Sequence, residues 1–139
     1  MKCVVESAGS VASTATLGSH TMLFDQPRSV PGGEDSGPSP LDVMVASVGA
    51  CAHYFAAAFL LARRIAADGL RVVAIAEKER DPSHRISKLC LHVTLPASVP
   101  EQYTDPIEKA IRACPAFNTL VHPTNVAVEL QREASISGP

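Results

Sequence analysis

A run of twenty residues without a charged side chain, Val43 to Ala62, constrains the fold of this 139-residue chain most strongly. The segment just before the run supplies a helix start, because Ser39 suits the N-cap and Pro40 suits the first helical position. Gly69 is a typical residue to end a helix. The sequence therefore predicts one helix from Pro40 to about Ala67, roughly 40 Å long at about 1.5 Å per residue.

The same run is long enough to cross a membrane, so a membrane-anchored protein is one interpretation. Its seven strongly apolar residues contribute together about −2 to −4 kcal/mol on the insertion scale, and its seven alanines contribute little. Ser47 and His53 lie inside the run and oppose insertion. A helix that is apolar all round is otherwise buried on every side. Because one small chain can hardly cover such a helix, we expect a homodimer and no membrane partner.

The composition argues against nucleic-acid binding. The net charge is −2, which implies no general surface for polyanions, and aromatic residues make up 4% of the chain without any tryptophan. The first ten residues contain no apolar run of signal-peptide length. We therefore expect a cytoplasmic protein without a nucleic-acid partner.

The remaining segments predict an α+β domain that spans residues 1–139. Turn signals separate three β-prone segments at 3–5, 11–17 and 21–24, and a long loop rich in proline and glycine follows. The segments at 70–78 and 86–95 predict a β-hairpin.

The C-terminal part of the chain predicts a second helix and a last strand. Asp105 is the expected N-cap of the helix, with Pro106 in the first turn and Glu108 as the capping-box acid. Pro115 disfavours helical geometry at the residue before it, so the helix is expected to bend or restart at Cys114. A short strand is predicted at 126–130, and a frayed tail at 134–139.

The chain has four cysteines, Cys3, Cys51, Cys90 and Cys114, and no C-x-x-C spacing. A reducing compartment argues against a structural disulfide framework, and the spacing gives no support for a metal site, so we expect neither a metal nor a cofactor. On position alone, Cys51 can be either inert packing or a reactive thiol. His53 lies about 200° around the helix from Cys51 and points away from it.

Two motifs together resemble a known family. GPSPLDVMVASVGACAHY, followed about sixty residues later by ACPAFNTL, resembles the OsmC/Ohr family of thiol peroxidases, whose pattern is a G-x-x-P segment, a helix rich in small residues with one cysteine, a two-stranded connection and a C-P-x-x-N helix. The resemblance covers nearly the whole chain. It implies an OsmC-like α+β fold and an intertwined homodimer with two interfacial sites.

The resemblance also implies an activity, the thiol-dependent reduction of organic hydroperoxides in oxidative stress defence. Cys51 would be the peroxidatic thiol that becomes a sulfenic acid. Cys114 would resolve it as a disulfide, and a dithiol reductant, lipoyl or another thiol, would reduce that disulfide. A substrate pocket, largely apolar, would favour organic hydroperoxides over hydrogen peroxide. Its predicted lining residues are Ser47, Tyr54, Phe55, Phe59 and Phe117.

The chain departs from the family pattern at the residues that activate the thiol. The family's arginine lies in the N-terminal region, and Arg28 is the single arginine before the long helix here. The family's helix-start glutamate falls at Leu41, and Asp42 follows it, so Asp42 would act across the dimer if it acts at all. These departures motivate an alternative, a non-catalytic dimer of the same fold that binds a small molecule or lipid.

Overall fold

The computed structural model describes residues 1–79, 85–122 and 124–132. It confirms the predicted α+β class, since antiparallel strands precede a long helix, and further strands and short helices follow it. The predicted turn of the second hairpin lies mostly, at 80–84, outside the described residues, as does the predicted tail at 134–139.

The N-terminal segments form a three-stranded antiparallel sheet in the order β1-β2-β3, as predicted. The strands are β1 Val4–Ser7, β2 Ser13–Leu17 and β3 His20–Phe24. Ala15 is the buried residue of this sheet, at 3% exposure, whereas Val5 remains 62% exposed. Much of the apolar surface of this sheet is therefore left uncovered by the part of the chain that the structure describes.

The loop from Asp25 to Pro38 is organised around one buried carboxylate. Asp25 is 2% exposed, and its two oxygens accept hydrogen bonds from the backbone N–H groups of Gln26, Glu34 and Ser36 and from the Ser36 hydroxyl. The Ser36 N–H is the main cause that lowers the pKa of Asp25 from 3.8 to about 2, followed by the Ser36 hydroxyl and the Gln26 N–H. A charged Asp25 therefore holds the loop in shape.

Replacement of this carboxylate, Asp25→Asn, is expected to lower the melting temperature at pH 7 by several degrees. The folded pKa lies below the unfolded one, so the stabilisation is complete above about pH 4 and disappears as the pH falls through about 2. The variant should lose that part of the pH dependence in thermal melts between pH 7 and pH 2. Asp35→Asn is the matched control, because Asp35 is exposed in the same loop. Equal melting curves for Asp25→Asn and wild type would contradict the role of Asp25.

The long helix α1 runs from Pro40 to Leu61, with Ser39 as the predicted N-cap. The Asp42 N–H donates to the Ser39 Oγ, and the Ser39 hydroxyl donates to the Asp42 carboxylate at 2.6 Å. The helix ends earlier than predicted. Arg64 adopts a φ of 60°, and the Ile65 N–H donates to the Leu60 carbonyl, which closes the last turn before Gly69 is reached. The observed helix is therefore about 33 Å long.

Among the described residues, the chain buries one side of α1. Ala52, Ala56 and Leu60 form the core with three residues from other elements, Leu70, Ile107 and Ile111. Within its most apolar window, 28% of the residues are buried. Among the described residues α1 alone has the length and hydropathy of a membrane span, a test that core helices of soluble proteins also pass.

The predicted hairpin is confirmed as β4 Arg71–Lys78 paired with β5 Ile86–Thr94 in antiparallel register. β4 packs against α1. Leu89, Leu91 and Val93 share the half-buried face of β5, as their alternation predicts.

The second helix begins and ends differently from the prediction. A 3-10 turn, Glu101–Tyr103, leads directly into α2 Thr104–Arg112, so Asp105 lies in the first turn and is not the N-cap. Glu108 does not form a capping box, because its carboxylate pairs with Arg112 one turn later at 2.8 Å. The predicted restart at Cys114 is confirmed, and α3 spans Pro115–Val121.

The prediction of a strand at 126–130 is wrong. Residues 124–132 form no strand, and Val126, Val128 and Leu130 are 75%, 81% and 94% exposed. A strand needs a neighbouring strand to satisfy its backbone N–H and C=O groups, and no described strand of this chain lies beside the segment.

Candidate functional site

Two cysteines meet where α1 passes the joint between α2 and α3. Cys51 is half-buried in the middle of α1, and Cys114 is fully buried at the joint, at 0% exposure. Both thiols are free. The Cys51 side chain is one of the causes that raise the pKa of Cys114, so the two side chains lie near each other.

The local sequence explains why Cys114 occupies this position. Pro115 follows it, so Cys114 adopts an extended backbone with φ −67° and ψ 139°, and a new helix starts. Its Sγ caps that helix by accepting the Phe117 N–H at 3.3 Å. The sulfur is thereby fixed at the start of α3 and faces Cys51.

The surroundings of Cys114 act on its acidity in opposite directions. Burial raises the pKa of the Cys114 thiol most, and the neighbouring Cys51 side chain raises it further, while the backbone N–H groups of Phe117 and Ala116 lower it in part. The net shift is upward. A Cys114 thiol that keeps its proton can donate a hydrogen bond to a thiolate at Cys51.

An apolar groove of about 450 Å³, here called the α1–β5 groove, opens on the side of α1 that carries Cys51. Met44 and Val48 line it and precede Cys51 by seven and three residues, the spacing of one helix face. The other apolar side chains of the groove come from β5 and α3, and the charged side chains of Arg85 and Lys88 also line it. The apolar lining from these elements is Ile86, Leu89, Leu91, Phe117, Leu120 and Val121.

The predicted activating residues are engaged elsewhere in the chain. The Arg28 Nε donates to the Glu34 carbonyl at 3.2 Å within the proline- and glycine-rich loop. Asp42 is held by Ser39 at the start of α1. Across 1–79, 85–122 and 124–132, neither side chain forms a hydrogen bond or ion pair with Cys51 or Cys114.

The predicted pocket residues separate into different environments. Phe117 lines the α1–β5 groove. Ser47 is exposed and donates to the Met44 carbonyl, and Tyr54 is 65% exposed with its ring edge-to-face against Phe55 at 5.4 Å. Phe59 belongs to the core, where it packs against Tyr103, so it lies about 12 Å along α1 from Cys51.

The other side of α1 carries a second groove of about 680 Å³, here called the α1–β4 groove. Ala46, Gly49, Ala50 and His53 line it together with residues of β4. His53 is exposed there, on a different side of the helix from Met44 and Val48, as its angular position predicts. In the part of the chain that the structure describes, no three His, Cys, Asp or Glu residues are grouped to hold a metal.

Sequence reasoning missed two parts of this site. Met44 and Val48 were not assigned to the groove, although their spacing from Cys51 was available. The sequence assigns no role to Asn118 of the C-P-x-x-N motif, yet its side-chain Nδ2 donates hydrogen bonds to the carbonyls of Arg112 and Cys114.

Solved structures with the same fold support the architecture. A Psychrobacter arcticus 273-4 protein whose name refers to osmotic stress and detoxification aligns with TM-score 0.76 and 18% identity, covering 88% of this chain and 89% of that chain. An OsmC-like protein from Mycoplasma pneumoniae aligns with TM-score 0.73 and 19% identity, covering 86% of each. An organic hydroperoxide resistance protein OsmC from Legionella pneumophila aligns with TM-score 0.63 and 18% identity, covering 86% and 87%.

Sequence comparison identifies the family through a family model, whereas a search of curated proteins found no match. The model of the OsmC-like protein family matches residues 33–129, which include the last part of the loop, α1, the hairpin, α2 and α3. Both cysteine motifs lie within the matched region, and the chain therefore belongs to the OsmC-like protein family.

Proposed function

We propose that this protein is a cytoplasmic, thiol-dependent peroxidase that reduces organic hydroperoxides in oxidative stress defence. The observation that carries the proposal is the pairing of a half-buried Cys51 with a buried Cys114 whose pKa is raised. Because the two side chains interact, Cys114 is the candidate partner for a disulfide with Cys51.

The reaction proceeds through the two sulfur atoms. The Cys51 thiolate attacks the distal oxygen of the hydroperoxide, the O–O bond breaks, and the alkoxide leaves and takes a proton to become an alcohol. Cys51 becomes a sulfenic acid. Cys114 then attacks the Cys51 Sγ and gives up its proton as the disulfide forms, and the hydroxide that leaves Cys51 takes up that proton to become water. A cellular dithiol, lipoyl or another, finally reduces the disulfide and is itself oxidised.

The α1–β5 groove supports an organic substrate. Its lining is apolar along the face of α1 that also carries Cys51, and apolar surface favours an alkyl or aryl group over water-like hydrogen peroxide. Among the predicted pocket residues, Phe117 connects the groove to the thiols, since its N–H donates to Cys114.

We infer that the working unit is a homodimer. α1 leaves most of its apolar window uncovered, and Tyr54, Leu61 and Val128 are exposed by more than half of their surface. A second copy of the chain that covers α1 would remove these apolar surfaces from water. Such a partner would also bring its own Arg28 and Asp42 to the assembly, which leaves both residues available for activation across the interface.

The formation of the disulfide tests the proposal directly. After one equivalent of cumene hydroperoxide, peptide mass mapping is expected to find a Cys51–Cys114 disulfide in most of the protein. Untreated protein and protein treated with cumyl alcohol are the controls, and both should retain free thiols. If all four cysteines stay reduced, or if Cys51 pairs with Cys90, the proposed chemistry is wrong.

A second candidate is a non-catalytic dimer that binds a small molecule or lipid. The observation in its favour is that Arg28 is bonded to the Glu34 carbonyl, so that no cation of the described chain is bonded to either thiol. Binding of a fluorescent fatty acid by the Cys51→Ser and wild-type proteins alike, with no sulfenic acid after hydroperoxide, would favour this candidate.

A further inference from the structure

Asn118 forms one hydrogen bond that crosses the joint between α2 and α3 and a second to the N-cap residue of its own helix. Its Nδ2 donates to the Arg112 carbonyl and to the Cys114 carbonyl, each at 3.2 Å. Arg112 is the last residue of α2, where backbone carbonyls lack a helical N–H partner. We propose that Asn118 is a positioning residue that holds Cys114 against Cys51.

The two sides of this joint differ in how firmly they are anchored. α2 is fixed to α1, because Ile107 and Ile111 are buried in the same cluster as Ala52 and Ala56. α3 has seven residues, none of them buried, and a helix this short has little stability of its own. α3 also contacts α1, so its orientation, and with it the direction of the Cys114 Sγ, depends on that packing together with the bonds that connect α3 to α2.

Few side chains provide such a connection. The Arg112 guanidinium lies over the Phe117 ring at 5.7 Å, a contact at the surface. Asn118 is half-buried and satisfies two backbone carbonyls at once, one of them belonging to Cys114 itself. Loss of these bonds leaves the Arg112 carbonyl without its described partner and loosens the joint between α2 and α3, while the contacts of α3 with α1 remain.

The chemical consequence concerns disulfide formation. A disulfide requires a narrow range of distances and dihedral angles, so the equilibrium between dithiol and disulfide reports how well the two sulfurs are positioned. This inference rests on the proposed function in one respect, that Cys51 and Cys114 form a disulfide. With glutathione disulfide as oxidant, the two thiols pass two electrons and two protons to it, which yields the internal disulfide and two molecules of glutathione.

The test is the equilibrium constant of Cys51–Cys114 disulfide formation in glutathione buffers, without peroxide. Asn118→Ala is expected to lower it at least about tenfold, equivalent to about 30 mV in potential. Thr119→Val is the matched control, because the Thr119 hydroxyl donates to the Pro115 carbonyl at 2.9 Å within α3 and does not cross the joint. Thr119→Val should stay within about twofold of wild type.

A second variant, Asn118→Asp, keeps the shape of the side chain but removes its N–H donors, and it should shift the equilibrium in the same direction. Thermal melts establish whether each variant is folded. If Asn118→Asp does not fold, the equilibrium constant of Asn118→Ala alone decides the test. Equal constants for Asn118→Ala and wild type, an equal loss in Thr119→Val, or a wild type that forms no internal disulfide would overturn the inference. Hydroperoxide turnover is measured separately, so its absence counts against the proposed function alone.

Discussion

Cys51→Ser is expected to lose hydroperoxide turnover by at least about 1,000-fold, because the substitution removes the sulfur that attacks the peroxide oxygen. The measurement is the consumption of cumene hydroperoxide with a dithiol reductant. Because Cys51 is half-buried on a face that α1 shares with an apolar groove, serine fits the same space, and the folded state should be retained.

Cys90→Ser is the matched control for this loss. Cys90 is also half-buried and lies on β5, but it is not one of the two thiols that interact. Its turnover should stay close to wild type. Full activity in Cys51→Ser, or an equal loss in Cys90→Ser, would refute the assignment of Cys51 as the reactive thiol.

A charge placed on the uncovered side of α1, Ala50→Glu, is expected to weaken the homodimer at least about a hundredfold. Ala50 is exposed in the single chain and lines the α1–β4 groove among small residues. Burying a glutamate there against a second copy removes its charge from water, which costs several kcal/mol, and about 1.4 kcal/mol is a factor of ten in affinity. Analytical ultracentrifugation across a concentration series measures the change.

Ala66→Glu provides the same substitution at an exposed position after α1 has ended. The Ala66→Glu dimer should dissociate at the same protein concentration as the wild-type dimer. A wild-type protein that sediments as a monomer at every concentration, or an Ala50→Glu variant as dimeric as wild type, would show that this side of α1 is not the interface.

Local sequence rules predicted the elements whose causes lie close together in the chain. Ser39 and Pro40 define the start of α1, and the alternation of apolar residues in β5 defines which face is half-buried. The end of α1 depends on Arg64, which adopts a positive φ that is uncommon for a residue with a side chain. The Ile65 N–H bond to Leu60 closes the turn there, and nothing in the local sequence identifies that bond.

The site was less accessible to sequence reasoning than the fold. Position alone left Cys51 open between packing and reactivity, and only the resemblance, carried by the Cys114-Pro115 motif, suggested the pair. The proximity of the two thiols depends on how α2 packs on α1 through Ile107 and Ile111, which is a tertiary property. The position of Arg28 depends on a loop organised by Asp25, which no local pattern specifies.

The segment at 126–130 has a consequence for the life of the newly made chain. Its apolar side chains Val126, Val128 and Leu130 are exposed, and an exposed apolar segment with high β-propensity attracts other unfolded or partly folded chains. In the proposed homodimer a second copy would cover these surfaces, so assembly would protect each chain from aggregation and proteolysis.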